Sequence, residues 1–322
     1  MLQSAPGAIS LGAATRPDDA GTAQGLIQAA DHAMYLAKRA GRNQTFQSNA
    51  AFATLAPAAG RLNDLRASYG ADAVGVFGGG GLTNEKAYQL GKFARVALGT
   101  SQIDYNGRWC MSSAASAGTR AFGVDRGLPF PLADIEQTDV LVLVGSNLAE
   151  TMPPAARHLD RLRARGGKVV VIDPRVTATA ERADLFLQPV PGTDLALALG
   201  ALHLLDARGA VDEEYVAART TGFDAVRRSV ASWWPERVER TTGVATEELR
   251  ALVDLLAGAT KVMVLTARGA EQHAQGSDTV LAWVNLALAL GQCGKPLSGY
   301  GCLTGQGNGQ GGREHGQKAD QL

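Results

Sequence analysis

Hydrophobic runs with the length of strands alternate along the chain with segments whose hydrophobic positions recur at helical spacing. Continuous apolar runs at 139–144, 168–172 and 261–265 are typical of strands covered on both faces of a parallel sheet. Shorter strands are predicted at 73–77 and 184–187. The predicted helices occupy residues 58–68, 83–98, 153–165, 195–206, 211–219, 246–259 and 280–290. This alternation predicts an α/β fold with parallel sheets flanked by helices.

Small and polar residues follow the predicted strands. Four glycines at 78–81 stand between a strand and a helix, where a ligand's phosphate could approach backbone N–H groups, although their spacing matches neither common nucleotide-loop pattern. The run at 139–144 ends in Gly145-Ser146-Asn147, and the next strand ends in Asp173-Pro174-Arg175. These loops fit nucleotide binding at strand ends; the alternative is a plain βαβ unit with capping residues.

The strand at 261–265 leads into residues 266–273, which predict a polar loop at the carboxyl edge of the sheet. His273, at the end of this loop, is either catalytic or a hydrogen-bonding residue.

The segment 106–115 centres on Cys110, which four small residues follow after Met111. These small residues predict the start of a helix, whose dipole would favour a thiolate at its N-terminus. A thiolate can bind a soft metal or act as a nucleophile. The alternative is an inert, buried thiol, because the chain places no partner ligand nearby.

Composition excludes several classes of protein. The 322 residues are 45% hydrophobic, and 31 Lys and Arg balance 31 Asp and Glu, so no net charge favours nucleic acid or an anionic membrane. No apolar run is long enough to span a bilayer, which predicts a cytoplasmic protein. The three cysteines, Cys110, Cys293 and Cys302, include no C-x-x-C pair for an iron–sulfur cluster or structural zinc.

Residues 1–46 are distinct from the remainder. They predict a short strand at 9–14 and an amphipathic helix at 24–39, and residues 31–43 resemble the last helix of diguanylate cyclase (GGDEF) domains. The nucleotide- and metal-binding half of such a domain is missing, so the resemblance implies a C-terminal remnant without cyclase activity. An alanine-rich junction at 47–57 follows.

The chain from residue 58 onward resembles the catalytic subunits of molybdopterin oxidoreductases, most closely the assimilatory nitrate reductases. The segments that carry this resemblance lie at 78–95, 106–115, 144–153, 173–175 and 303–318. The resemblance implies an incomplete molybdopterin oxidoreductase core with Rossmann-like parallel sheets, plus the short N-terminal β-α tail. Its implied parts are a core segment with the metal-ligand cysteine (58–138), a Rossmann-like dinucleotide-binding domain (139–296) and a truncated, glycine-rich cofactor-contacting segment (297–322).

The implied activity is the reduction of nitrate to nitrite by oxygen-atom transfer at a molybdenum-bis(molybdopterin guanine dinucleotide) centre, with Cys110 as the thiolate ligand. Formate dehydrogenases of this superfamily carry histidine and arginine where this chain has Met111 and Thr304. These departures argue against formate oxidation, and Cys110, Met111 and Thr304 are the implied catalytic residues. The implied cofactor-binding residues are Gly81, Asn84, Glu85, Asn106, Gly145, Ser146, Asn147, Glu150, Asp173, Arg175, Thr177, Gly192, Asp194, Arg268, Gln272, Gly305, Gln306 and Arg313.

Two features of the family are missing from this sequence. Family members begin with a four-cysteine [4Fe-4S] domain, whose ligands this chain lacks, and they continue beyond Leu322. The sequence therefore predicts a truncated or chimeric fragment, partial or non-functional on its own. Its electron donor would be ferredoxin, flavodoxin or an NAD(P)H reductase. The alternatives are another molybdopterin oxidoreductase such as a formate dehydrogenase, an inactive fusion fragment without cofactor, and a signalling protein that makes cyclic dinucleotides.

Overall fold

A computed structural model describes residues 48–125 and 127–319, so the strand and helix predicted within 1–46 lie outside the described residues. The chain divides into two compact units, Met1–Val74 and Gly75–Leu322. The described part of the first unit is helix α1 (Ser48–Tyr69) and a 3-10 turn (Ala71–Ala73). Helix α1 confirms the helix predicted at 58–68 and begins ten residues earlier, with Pro57 inside it.

The second unit begins with a small parallel sheet of two strands, β1 (Val76–Gly78) and β2 (Ile103–Tyr105). Helix α2 (Asn84–Lys92) and a π turn (Phe93–Leu98) connect them, and the Thr83 hydroxyl caps α2 by accepting from Lys86 N. The helix predicted at 83–98 is confirmed. The buried strand predicted at 73–77 is wrong in extent and burial: it starts at Val76, and Phe77 is 63% exposed. The apolar run could not show that, among the described residues, this strand pairs with β2 alone.

A parallel sheet of five strands forms the centre of the second unit. Its strands are β3 (Val140–Val144), β4 (Lys168–Ile172), β5 (Leu185–Leu187), β6 (Val262–Thr266) and β7 (Gly299–Cys302), in the order β5-β4-β3-β6-β7. The register pairs Val140 with both Lys168 and Val262. Four of the strands were predicted. Because the chain runs outward from β3 in both directions, the carboxyl ends of β3 and β6 flank the topological switch point, where parallel sheets bind ligands.

Short helices precede and surround this sheet. They are α3 (Gly107–Cys110), α4 (Ser112–Phe122), α5 (Leu148–Thr151), α6 (Ala156–Ala164), α7 (Asp194–Ala207), α8 (Glu213–Arg219), α9 (Phe223–Val230), α10 (Pro235–Thr242), α11 (Thr246–Gly258), α12 (Arg268–Glu271), α13 (Gly276–Ala289) and α14 (Gly309–Glu314). All predicted helices of this unit are confirmed to within a few residues. No helix in the described part of the chain is long and apolar enough to cross a bilayer.

Alternate residues of the central strands enter two separate cores. Val142, Val170 and Val264 pack on one face against the apolar sides of α7, α11 and α13. Leu143 and Leu265 pack on the opposite face with Leu159 and Leu162 of α6. Since side chains alternate along a strand, a run that is apolar at every position is what burial of both faces requires.

Two segments differ from expectation. The polar loop predicted at 266–273 is instead the end of β6 followed by the helical turn α12. The glycine-rich segment contains β7, which was not predicted. Gly301 suits a crowded position, because a Cβ there would lie 2.7 Å from Leu128 Cδ2 and the leucine side chain would have to shift. The domain boundaries given above stay predictions.

Candidate functional site

The loops that follow β3 and β6 lie back to back at the switch point. Gly145 has a φ of +64°, and a Cβ at this position would lie 2.3 Å from the backbone nitrogen of Ala270. Gly269 N donates to Gly145 O over 3.0 Å. A glycine is therefore required at 145 by backbone conformation and by packing together.

Polar side chains shape the loops beyond Gly145. Thr179 Oγ1 donates to Asn147 Oδ1 (2.8 Å) and accepts from Ala149 N (3.0 Å). Asp173, buried at the end of β4, accepts from Arg175 N over 2.9 Å. Among the other predicted residues of these loops, Ser146 and Thr177 are buried, whereas Glu150 and Arg175 are exposed.

The third loop at this edge leads into α7. Gly192 has a φ of +84°, and Asp194 buries its carboxyl group in the first turn of the helix. Burial raises the pKa of Asp194, against the lowering effects of a backbone hydrogen bond and of His273, whose Nε2 lies 4.0 Å from Asp194 Oδ2. His273 Nε2 also lies 2.8 Å from Gly269 O, which is a hydrogen-bond distance. This contact fits the interpretation of His273 as a hydrogen-bonding residue. Gln272 beside it is exposed.

A second group of predicted residues gathers at the carboxyl ends of β1 and β2. Gly80 N donates to Asn106 Oδ1 over 2.8 Å. The glycine-rich segment adds Asn308, whose backbone N donates to Gly80 O (2.8 Å) and whose Nδ2 donates to Asn84 Oδ1 (2.9 Å). The structure thus joins residues more than 200 positions apart. Glu85 and Gly81 lie exposed in the same region.

Cys110 is the last residue of α3 and lies two positions before the first residue of α4. The helix predicted from the small residues after Met111 is confirmed. Cys110 is half-buried, and its neighbour Trp109 is 72% exposed. The thiol therefore remains reachable from outside the protein.

A cavity of about 1460 Å³ lies beside this segment. Among the predicted residues, its lining includes Asn84, Met111, Thr304, Gln306 and Arg313. Cys110 is not part of this lining. The lining also excludes two stretches of the sheet edge, Gly145 to Asn147 after β3 and Asp173 to Thr177 after β4. The predicted residues therefore form two groups, one beside the cavity and one at the sheet edge.

Three residues of the cavity wall and its support were missed by the sequence analysis. Arg313 forms an ion pair with Asp125, 188 positions earlier in the chain, and both line the cavity. Glu271 and Tyr300 are buried and share hydrogen bonds with Thr266. No spacing in the sequence signals these partners, because the sheet brings them together.

Arg268, predicted to bind cofactor, makes contacts to the protein through both terminal nitrogens. Nη1 lies 2.7 Å from Met111 Sδ and donates to Leu303 O over 2.8 Å. Nη2 pairs with the Glu271 carboxylate, and Nε is buried without a partner. Arg268 therefore connects the Cys110 segment to the glycine-rich segment.

The thiols of the other two cysteines are withdrawn from solvent. Burial raises the pKa of Cys293 to about 11, and burial also raises the pKa of Cys302, which lines the cavity. Both thiols are therefore held in the neutral form at neutral pH. Within residues 48–125 and 127–319, no three His, Cys, Asp or Glu side chains are grouped so as to hold a metal ion.

Comparison with known proteins gives a consistent family. The sequence model of the molybdopterin oxidoreductases matches residues 53–322. The chain is 45% identical over 258 residues to the assimilatory nitrate reductase catalytic subunit of Bacillus subtilis, covering 80% of this chain and 36% of that protein. It is 42% identical to a nitrate reductase of Shewanella frigidimarina, covering 80% of this chain and 28% of that protein.

Formate dehydrogenases are also among the relatives. The F420-dependent formate dehydrogenase 1 subunit alpha of Methanococcus maripaludis is 35% identical, over 76% of this chain and 36% of its own length. Among solved structures, acetylene hydratase from Pelobacter acetylenicus matches with a TM-score of 0.59 and 25% identity, over 74% of this chain and 32% of that one. The chain thus spans about a third of the length of the relatives it matches.

Proposed function

The chain belongs to the molybdopterin oxidoreductase family, and from this premise we propose that it forms part of a nitrate reductase with a molybdenum-bis(molybdopterin guanine dinucleotide) cofactor. The observation that carries the proposal is a set of glycines with open space beside them. Gly79, Gly81, Gly305, Gly307 and Gly309 have no heavy atom within 4 Å of the position a Cβ would take, and none has a positive φ.

Neither packing nor backbone conformation requires glycine at these five positions, and they leave room for a large ligand to approach the backbone. They belong to the two loops that Asn308 connects, next to the segment of Cys110. A thiolate is a suitable donor for a soft metal. The residues present therefore fit a large molybdenum-pterin group.

In this proposal Cys110 ligates molybdenum. The glycine loop contacts the pterin, and Asn106 orients this loop by accepting a hydrogen bond from Gly80 N. The sheet edge holds a guanine dinucleotide end, with Gly145 and Gly192 allowing close approach and the buried Asp173 and Asp194 as acceptors for its hydrogen-bond donors. When bound, the cofactor supplies the redox chemistry, in which nitrate, two electrons and two protons give nitrite and water.

Nitrate is favoured over formate by two residues. Met111 and Thr304 line the cavity and supply neither an imidazole nor a guanidinium at the positions where formate dehydrogenases carry them. The nitrate reductases of Bacillus subtilis and Shewanella frigidimarina are also more similar to this chain than the formate dehydrogenase of Methanococcus maripaludis. Formate oxidation is the second candidate.

The electron donor is proposed to be a separate protein or domain, because three cysteines are too few for a four-cysteine cluster in this chain. Ferredoxin, flavodoxin and an NAD(P)H reductase fit equally well. We propose a cytoplasmic location, by analogy with an assimilatory role.

The test is the molybdenum and pterin content of the chain purified from cells that make the cofactor. We expect about one molybdenum per chain, in the protein and in a Cys293→Ala control that removes a thiol away from the Cys110 segment. Cys110→Ala should lose most of the metal. Absence of molybdenum from all three proteins, or equal content in all three, would contradict the proposal. Loaded protein is then assayed for nitrate reduction with a reduced dye and, separately, for formate oxidation with an oxidised dye.

A further inference from the structure

Glu271 is a charged side chain that the proposed chemistry leaves without a role. It lies on the four-residue helix α12 and is 1% exposed. Its Oε1 accepts from Thr266 Oγ1 over 2.6 Å, and its Oε2 pairs with Arg268 Nη2. A buried carboxylate needs such partners, since an unpaired charge in the interior is strongly unfavourable.

The hydrogen bonds continue into the sheet in one direction. Thr266 Oγ1 lies 2.7 Å from Tyr300 OH. Because the threonine hydroxyl has one hydrogen and donates it to the carboxylate, Tyr300 must donate to Thr266. Burial raises the pKa of Tyr300, so its phenol keeps the proton it donates. The resulting chain runs from Tyr300 on β7 through Thr266 on β6 to Glu271 and Arg268.

At its other end this chain reaches the two segments around the cavity. Arg268 Nη1 contacts Met111, which directly follows Cys110, and donates to the carbonyl of Leu303, which precedes the glycine-rich stretch. A guanidinium has a rigid, planar fork of donors, so fixing one terminal nitrogen fixes the direction of the other.

We propose that Glu271 is a positioning residue that holds the Arg268 guanidinium across Met111 and Leu303, and so fixes the Cys110 segment against the glycine-rich segment. Arg268 then acts as a link between protein segments rather than as a direct contact to the cofactor. The inference rests on the proposed function only in taking Cys110 as the metal ligand. The contacts themselves exist without cofactor.

The experiment uses the full chain prepared without cofactor. Three variants are compared with the unchanged protein: Glu271→Gln, Tyr300→Phe, and the double variant Arg268→Met with Glu271→Leu. Glu213→Gln is the matched control, because Glu213 also pairs with an arginine but is exposed. Three quantities are measured: the urea midpoint, amide hydrogen exchange of residues 107–112 and 303–308, and the rate at which iodoacetamide modifies Cys110, read by peptide mass spectrometry.

Glu271→Gln should lower the urea midpoint and speed both exchange and Cys110 modification by about three- to tenfold, as expected for local opening of a segment. Tyr300→Phe should act in the same direction to a smaller extent, and it serves as the test if Glu271→Gln does not fold. The double variant should recover the urea midpoint, because no charge is left unpaired, but should keep the fast exchange and modification.

Recovery of all three quantities in the double variant would mean that the pair only stabilises the fold, and would overturn the proposal. Unchanged local rates in Glu271→Gln and Tyr300→Phe would overturn it as well. Because every measurement is made without molybdenum, failure of the chain to load metal would contradict the proposed function and leave this inference standing.

Discussion

Asp194 places a carboxyl group where it costs stability. It is buried at the start of α7, close enough to Asp173 for that carboxylate to raise its pKa further. Burial is the larger effect, so the pKa of Asp194 in the folded protein lies above its value in the unfolded chain. A group with a raised pKa contributes its stability fully below the unfolded-state pKa and loses it as the pH rises through the folded-state pKa.

Asp194→Asn should therefore be more stable than the unchanged protein at neutral pH, because the amide keeps an acceptor and carries no charge. The advantage should shrink as the pH falls from 7 to 4, where the aspartic acid becomes neutral. The measurement is urea unfolding of both proteins across this range. Asp224→Asn is the control, since Asp224 is also in the first turn of a helix, α9, but is exposed. An advantage that does not change with pH would contradict the argument.

Glycines show how far residue-level prediction can go. The sequence marks Gly145, Gly192 and Gly305 alike as cofactor contacts. The structure separates them: Gly145 needs a positive φ and a close neighbour, Gly192 needs a positive φ, and Gly305 needs neither. The same residue type thus stands at positions with different structural requirements, and only coordinates distinguish them.

At the scale of elements, helix packing has its own requirement for glycine. Gly200 lies inside α7, and a Cβ there would be 2.3 Å from Val238 Cγ2 on α10. Alanine favours a helix over glycine by about 1 kcal/mol. Overpacking against a stiff, β-branched side chain costs about 1–3 kcal/mol, so the close approach of the two helices should decide the outcome.

Gly200→Ala should accordingly lower the free energy of unfolding by about 1–2 kcal/mol, and a further Val238→Ala change should cost less in this background than on its own. The measurement is a double-mutant cycle by urea unfolding. Gly258→Ala is the matched control, because Gly258 ends α11 with no heavy atom near its Cβ position. It should be neutral or slightly stabilising. A stabilised Gly200→Ala would show that propensity outweighs packing here.

The elements themselves were predictable to different degrees. Strands β3, β4 and β6 could be read from the sequence because burial of both faces leaves a continuous apolar run. Strand β7 could not, since its glycines answer to tertiary structure: Gly299 has a φ of +126°, and a Cβ on Gly301 would press on Leu128 from a distant loop. For the site, the resemblance supplied the residues, and the partners Asp125, Glu271 and Tyr300 had no local signal.

On the scale of the whole second unit, the glycine-rich segment ties the small sheet to the large one. It leaves β7 at Cys302, passes the cavity and returns to the small sheet, where Tyr105 OH at the end of β2 donates to Gly309 O over 2.7 Å. Close approach continues at Gly91, whose Cβ would lie 2.5 Å from Gly316 O. Among the described residues the two sheets share no strand pairing, so this segment is one of the connections that hold them together.

Arg95 holds the end of this segment through two hydrogen bonds. Its Nη1 donates to Gly316 O and its Nη2 to Lys318 O, each over 2.7 Å. Arg95→Gln removes both bonds from a charged donor, and we expect a loss of about 1.5–3 kcal/mol. Amide exchange should accelerate in residues 312–318, while β3 and β6 stay protected, because their ladder is untouched. Exposed Arg240→Gln should change stability by less than about 0.5 kcal/mol. Unchanged exchange in 312–318 would show that the glycine contacts alone hold the segment in place.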